Sequence, residues 1–581
     1  MRKIPRNYDK YPETIVYGYD NHAFSGYSSI VSEIKRQLAD RKRAVIVLDF
    51  YPGVSEYEIL NGFAGLNYTK AFCVDSCTYD NKTYEAMIQD NLTDDLVFGV
   101  LTTKKLSDYF VREKTAELRS AIEKIQSGII LVYGVGASLI TKGDLLIYCD
   151  LTRWEIQKRY KKGMPNYKGS NTDDPHYSKY KRGYFVDWRL ADRHKKKLFD
   201  EFDYVLDTNV PDDPKMITGK AFTHALKLAA NQPFRLVPFF DPGVWGGQWM
   251  KDVCGLDPDM PNYAWSFDGV PEENSLYFRF GDIRIELPAV DVVFYQPRAL
   301  LGERVHGRFG DEFPIRFNLL DTMGGQNLSL QVHPLTEYIQ QTFGMHYTQD
   351  ESYYVMDCEE EAHVYLGLKE NVEADEMINE LKAASRGEIF FDDEKYINKV
   401  PVKKHDHLLI PAGTIHSSGK NTMVLEISAT PNLFTFKLWD WGRVDLNGLP
   451  RPLHIEHGEQ VICWDRTTKW VYENLVNQIE TISSEPGIVE EKTGLHEREF
   501  IETRRHIFTK PVTHYSNGSV CVIKLVDGDE AEIVSPDGNF KPMLMHYAET
   551  FIIPASVESY IIKPTARSKD QELITIKAYV R

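Results

Sequence analysis

Asn327-Leu-Ser-Leu-Gln-Val-His-Pro334 opens a stretch that carries Asp350-Glu-Ser-Tyr-Tyr354 at its middle and closes on Ile410-Pro-Ala-Gly-Thr-Ile-His-Ser417. Each piece is strand-like text, so Gln331, His333, Glu351 and His416 are expected on neighbouring strands of a barrel. Imidazole and carboxylate suit zinc and its first-row neighbours, and such a cluster needs no cysteine. Gln331 and His333 are two residues apart, so on one strand they point the same way. His416 follows the turn Pro411-Ala-Gly-Thr414, where a strand-end imidazole can enter a barrel mouth, and Glu351 opens a strand of its own. His405 and His407 flank Asp406 and could imitate a ligand pair; their place in the turn before His416 makes them surface residues in this reading.

Around this stretch, from Pro238 onward, the text is short strands, Gly/Pro turns and aromatics, the pattern of an all-β barrel or sandwich. Val244-Trp-Gly-Gly247, Phe313-Pro-Ile-Arg-Phe-Asn-Leu-Leu-Asp321, the three pieces above, Leu425-Glu426, Phe434-Thr-Phe-Lys-Leu-Trp-Asp-Trp-Gly-Arg-Val-Asp-Leu-Asn-Gly448 and Pro452-Leu-His454 follow in order. Together they resemble the type I phosphomannose isomerases (mannose-6-phosphate isomerases) of the cupin family, from about Phe239 to the C-terminus. The resemblance implies a double cupin (jelly-roll) with a helical insertion at Glu373–Ala384. It implies one Zn2+, or another divalent metal, held by Gln331, His333, Glu351 and His416. The implied activity is interconversion of mannose 6-phosphate and fructose 6-phosphate through an enediol, with Ser329 where the family contacts phosphate.

Three cationic positions depart from the family pattern. Asn318 and Gln349 stand where lysines are expected, and Lys437 stands at the position of the catalytic arginine. A charge-assisted contact to a buried anion contributes about 1.5–3 kcal/mol, so two lost lysines bear on which substrate fits. Arg316, two residues before Asn318 and on the same strand face, is the candidate substitute for substrate binding, beside Ser329. Lys437 and Arg443 are the candidate catalytic cations. An isomerase or epimerase of another sugar, and a non-catalytic metal-bound cupin that senses a sugar, stand as alternatives.

Residues 1–230 read differently. Ala44–Phe50, Ala71–Asp75, Gly128–Tyr133 and Leu145–Asp150 look like buried strands, with helical spacing at Ser29–Asp40, Lys114–Gln126 and Trp154–Lys162. That alternation predicts an α/β parallel sheet. Asp150-Leu-Thr-Arg-Trp-Glu-Ile-Gln-Lys-Arg159 resembles the late strand and basic helix of P-loop nucleoside kinases. After Phe50, however, Tyr51-Pro-Gly-Val54 lacks the Gly-Lys-Ser/Thr that cradles phosphate. A degenerate, kinase-like domain kept for packing or assembly is expected, with a phosphotransferase using a rearranged loop as the alternative. Gly134-Val-Gly136 reads as a strand-ending turn. The Lys/Arg/Tyr-rich stretch from Tyr160 to Lys197 reads as a solvated basic loop and helix rather than a phosphate lid.

The expected domains are 1–230 (kinase-like), 231–460 (metal-binding cupin) and 461–581 (second cupin half without metal). In the last, His546 and Glu549 lack a paired His-x-His, so its inward positions are expected only to pack. At 581 residues about three domains fit. A net charge of −17 argues against a nucleic-acid partner. The N-terminal text has no apolar leader and no segment suits a membrane span. Seven scattered cysteines fit reduced thiols and a cytoplasmic enzyme.

Overall fold

The protein is described by a computed structural model covering residues 6–581 apart from 432, 447, 449, 450 and 495. Residues 1–5 of the leader reading and Asn447 of the Phe434–Gly448 motif lie outside it. The chain forms two compact units: residues 13–229 with 272–296, and residues 1–12, 230–271 and 297–581.

The first unit is built on a seven-stranded sheet in the order Ala23–Ser25, Lys215–Thr218, Tyr204–Asp207, Leu145–Asp150, Arg43–Phe50, Gly128–Gly134, Lys70–Cys73. The last five are mutually parallel. Their apolar runs are continuous because both faces are buried: in Arg43–Phe50 every residue after the first is inaccessible. Three of the connecting helices start on side-chain caps. Ser55, Asp80 and Thr152 accept from the backbone N–H of Glu58, Thr83 and Glu155. The helices expected at Ser29–Asp40, Lys114–Gln126 and Trp154–Lys162 run Tyr27–Gln37, Arg112–Glu123 and Arg153–Lys161.

Residues 272–296, placed by the sequence reading within the cupin region, group with this first unit. The cause is backbone pairing: the hairpin Ser275–Phe280/Ile283–Pro288 adds Glu13–Ile15 as a parallel third strand. No alternating pattern around Glu13 announces such a distant partner.

The second unit is antiparallel β throughout its sheets and holds two sandwiches. In one, a six-stranded sheet (His407–Ile410, Glu351–Cys358, Thr422–Ala429, Ile315–Asp321, Trp265–Gly269, Phe239–Asp241) accompanies a five-stranded sheet (Ile397–Pro401, His363–Leu368, His416–Ser418, Leu330–Val332, Phe436–Trp439). Tyr353 and Val355 of the first sheet share one core with Val364 and Leu366 of the second. The other sandwich joins a six-stranded sheet from residues 480–580 to a four-stranded one, around Phe508, Ile523, Tyr560 and Leu573. The insertion helix forms at Ala374–Ser385 and buries Met377, Ile378, Leu381 and Ala384, one helical face. Among the described residues, no helix is long and apolar enough to cross a membrane.

Candidate metal centre

Strand Leu330–Val332 sets Gln331 opposite His416 on one side and opposite Lys437 on the other. Glu351 comes from the facing sheet, as the first residue of Glu351–Cys358, and His333 sits one residue past its own strand. All four side chains are buried, His416 completely. His333 Nε2 lies 3.2 Å from Glu351 Oε2, His416 Nε2 lies 2.9 Å from Glu351 Oε1, and Gln331 Nε2 lies 3.2 Å from His416 Nε2. Ligand atoms of His333, Glu351 and His416 fall within 4.8 Å of one another. The structure thus brings together all four residues predicted as ligands.

The imidazoles are oriented from behind. His333 Nδ1 faces the Phe434 carbonyl at 3.3 Å and His416 Nδ1 faces the Thr414 carbonyl at 2.9 Å. A carbonyl can only accept, so each Nδ1 carries the proton and each Nε2 turns a lone pair into the cluster. Gln349, at a position expected to be lysine, donates from Nε2 to Glu351 Oε2 at 2.9 Å. Burial pushes the Glu351 carboxyl up, but the charge His333 and His416 carry when protonated outweighs it and holds it well below the usual range. His333 Nε2 and Glu351 Oε1 still lack a well-formed hydrogen bond among the described residues. Two imidazole Nε2 atoms and a carboxylate, with the Gln331 amide beside them, are a donor set that fits a divalent cation.

At the two positions expected to be lysine, neutral amides face carboxylates. Asn318 donates from Nδ2 to Glu426 Oε1 at 3.1 Å, and Glu426 also stands opposite Tyr353. Burial, with the negative charge of Glu351, pushes the Glu426 carboxyl up to about 7. The sequence reading noted Glu426 only inside a motif; its place as cross-strand partner of Asn318 is the signal that would have marked it. Arg316 is 1% exposed, and its Nε and Nη1 have no partner among the described residues.

Lys437 is half-buried, and burial lowers its ammonium to about 8, with Arg451 adding and Asp440 opposing. Among the described residues it makes no ion pair. Arg443 and Ser329 are spent otherwise. Ser329 Oγ donates to Asp440 Oδ1 at 2.9 Å, Arg443 pairs with the same carboxylate and with the Asn327 carbonyl at 2.7 Å, and Arg451 takes Asp440 Oδ2 at 2.6 Å. Asp440 therefore gathers two of the predicted substrate-side groups to itself. The surface reading of His407 is also corrected: it opens strand His407–Ile410 opposite Tyr354 and is fully buried.

In the first unit, the strand ends that a phosphate would approach are filled by the chain. Asp49 accepts from the N–H of Gly136 and of Ser138, each at 2.9 Å, and meets His194 Nε2 at 2.9 Å. Lys195 is held between Asp150 Oδ2 at 2.5 Å and Asp291 at 2.7 Å, and Arg153 pairs with Asp192 at 2.5 Å. Lys179, Lys181, Arg182 and Lys195 are at most 6% exposed, so the solvated reading of the Tyr160–Lys197 stretch is corrected for these four, while Lys161, Lys162 and Lys197 of the same stretch are exposed. The four are drawn inward because carbonyls and carboxylates await them, Lys179 at Thr172 O (2.5 Å) among them.

A family described as "Domain of unknown function (DUF8485)" matches residues 26–231, and gives no support to the kinase likeness. Mannose-6-phosphate isomerase ManA of Bacillus subtilis (strain 168) is 27% identical over 237 residues, 40% of this chain and 68% of that protein. Mannose-6-phosphate isomerase of Streptococcus mutans is 27% identical over 221 residues, 38% of this chain and 64% of that protein. The matches thus span about two thirds of these relatives. The crystal structure of a Bacillus subtilis mannose 6-phosphate isomerase aligns with a TM-score of 0.49 at 20% identity, over 60% of this chain and 100% of that one.

Proposed function

We propose that the protein is a metal-dependent aldose–ketose isomerase that interconverts mannose 6-phosphate and fructose 6-phosphate through an enediol(ate). The observation that carries this is the convergence of Gln331, His333, Glu351 and His416, with ring tautomers set by backbone carbonyls. The names of the relatives at 27% identity support the substrate. These four residues would hold one zinc or similar divalent ion, which when bound supplies a Lewis acid for the sugar oxygens. Lys437, which makes no ion pair among the described residues and lies beside Gln331, offers a positive charge to an enediolate oxygen, and Arg316 offers N–H groups unspent among the described residues to an anion. Seven free cysteines support a cytoplasmic setting.

Purified protein supplied with zinc is expected to form fructose 6-phosphate from mannose 6-phosphate, and His333→Ala to abolish this. Intact metal binding without turnover would instead favour an isomerase or epimerase of another sugar. That second reading has its own observation: Asn318 and Gln349 hydrogen-bond carboxylates where cations were expected. For the first unit we infer a packing or assembly role, supported by the self-satisfied cluster around Asp49, Asp150 and Lys195. ATP or GTP binding by the protein would remove it.

A further inference from the structure

The interior of the second sandwich holds polar groups that packing alone does not use. His506 of strand Ile501–Phe508 stands opposite Thr575 of Leu573–Val580, and His514 of Val512–Tyr515 stands opposite Tyr560 of Ser559–Pro564. The two pairs belong to different sheets and meet inside. The His506 and His514 rings are 4.4 Å apart, edge to face, and His514 stacks on Tyr560 at 5.0 Å. All four side chains are at least nine-tenths buried: His506 4%, His514 2%, Tyr560 0% and Thr575 0% exposed. Even so, His506 Nδ1, both ring nitrogens of His514, Tyr560 OH and Thr575 Oγ1 have no hydrogen-bond partner among the described residues. Native interiors leave few such atoms unmet, and five in one place mark a site for something that meets them.

The surrounding charge selects the chemistry. Lys577, 7% exposed and two residues from Thr575 on the same strand face, makes no ion pair among the described residues, and its ammonium lies 5.5 Å from the Tyr579 ring. Burial, with Lys577 adding, holds both imidazoles neutral, each with one N–H to donate. The nearby carboxylates are held by Arg504: Glu490 at 3.6 Å and Glu502 at 2.5 Å, with Tyr579 OH also on Glu502 at 2.6 Å. Glu490 reaches only the outer nitrogen of His506, at 3.7 Å. Hydroxyl, phenol, imidazole N–H and ammonium can all donate, whereas a divalent cation would meet Lys577 with no free carboxylate to offset it. The metal centre, which has Glu351, is the opposite case. We propose that the interior of the second sandwich binds a small oxyanion, phosphate or carboxylate, through His506, His514, Tyr560 and Thr575, with Lys577 as its counter-charge.

The test uses the full chain carrying His333→Ala, which removes the metal but leaves Arg316 and Lys437, so binding is assigned to the second sandwich by its own histidine signals. Inorganic phosphate and acetate are titrated separately at constant ionic strength, read by calorimetry and by histidine 13Cε1 resonances. Two histidine signals, assigned with His506→Phe and His514→Phe, are expected to shift with one anion or both, which also tells phosphate from carboxylate. Lys577→Met is expected to weaken that binding about tenfold or more, and Thr575→Val by less. Should His514→Phe fail to fold, Lys577→Met decides alone. No shift with either anion would mean that water fills the site and would overturn the proposal. So would a transition metal retained by the His333→Ala, His416→Ala chain and lost on His514→Phe.

Discussion

Two groups of buried carboxylates sit at strand ends in this chain, and they differ in what is left unspent. At the parallel sheet, Asp49 and Asp150 at strand ends, with Asp192 and Asp291 from neighbouring helices, each meet a donor or cation of the chain itself. At the antiparallel sheets, Glu351 faces two imidazoles whose Nδ1 protons are already committed to carbonyls, so lone pairs rather than protons converge. The first arrangement is closed and holds the fold; the second has capacity for a cation. Conserving a buried charge is thus a weaker sign of a ligand site than an excess of donors or of acceptors around it.

The sharpest way to break this contrast is to remove a ligand. His333→Ala should reduce bound metal from one per chain to none and isomerase turnover to background, by elemental analysis and a coupled assay, while leaving the fold intact. Lys195→Met should do the reverse: it strands Asp150 and Asp291, costs about 3–5 kcal/mol in urea unfolding, and leaves metal content unchanged. Gln349→Ala removes the donor that orients Glu351, and a chelator competition should read metal affinity about 10–100-fold weaker.

The remaining effect lies in the first unit and depends on pH. Burial raises Asp207 to about 6, and burial with the Asp207 charge raises Glu286 to about 7. The folded state therefore binds more protons than the unfolded one between pH 4 and 7. Stability from these groups is fully present below the ordinary carboxylate range and is lost as pH rises through about 6 and 7, by on the order of 3 kcal/mol for each group. Glu286→Gln should flatten that slope in urea melts at pH 4, 5.5 and 7, and an unchanged slope would count against the assignment.

The convergence of Gln331, His333, Glu351 and His416 was legible in the sequence because a strand's period of two and a turn ending in Gly413-Thr fix where side chains can point. The parallel sheet was legible because strands buried on both faces must be continuously apolar. What was not legible depends on distant pairing. Nothing in Glu13–Ile15 names Ser275–Phe280 as its partner, so residues 272–296 were assigned to the wrong neighbourhood. Lys195 reads as a surface cation until Asp150 and Asp291 are seen around it. Ser329, expected to contact substrate, and Arg443, expected as a catalytic cation, share Asp440 as a partner, which no local pattern announces. His506 and His514 carry no motif at all; only the meeting of two sheets makes them a pair.

The central claim is that Gln331, His333, Glu351 and His416 form the metal centre of an isomerase. Chelated protein titrated with zinc should gain mannose 6-phosphate isomerase activity in proportion to bound metal, levelling at one ion per chain, with Glu351→Gln neither binding nor turning over. Activity in the metal-free protein, or full metal retention by Glu351→Gln, would contradict it.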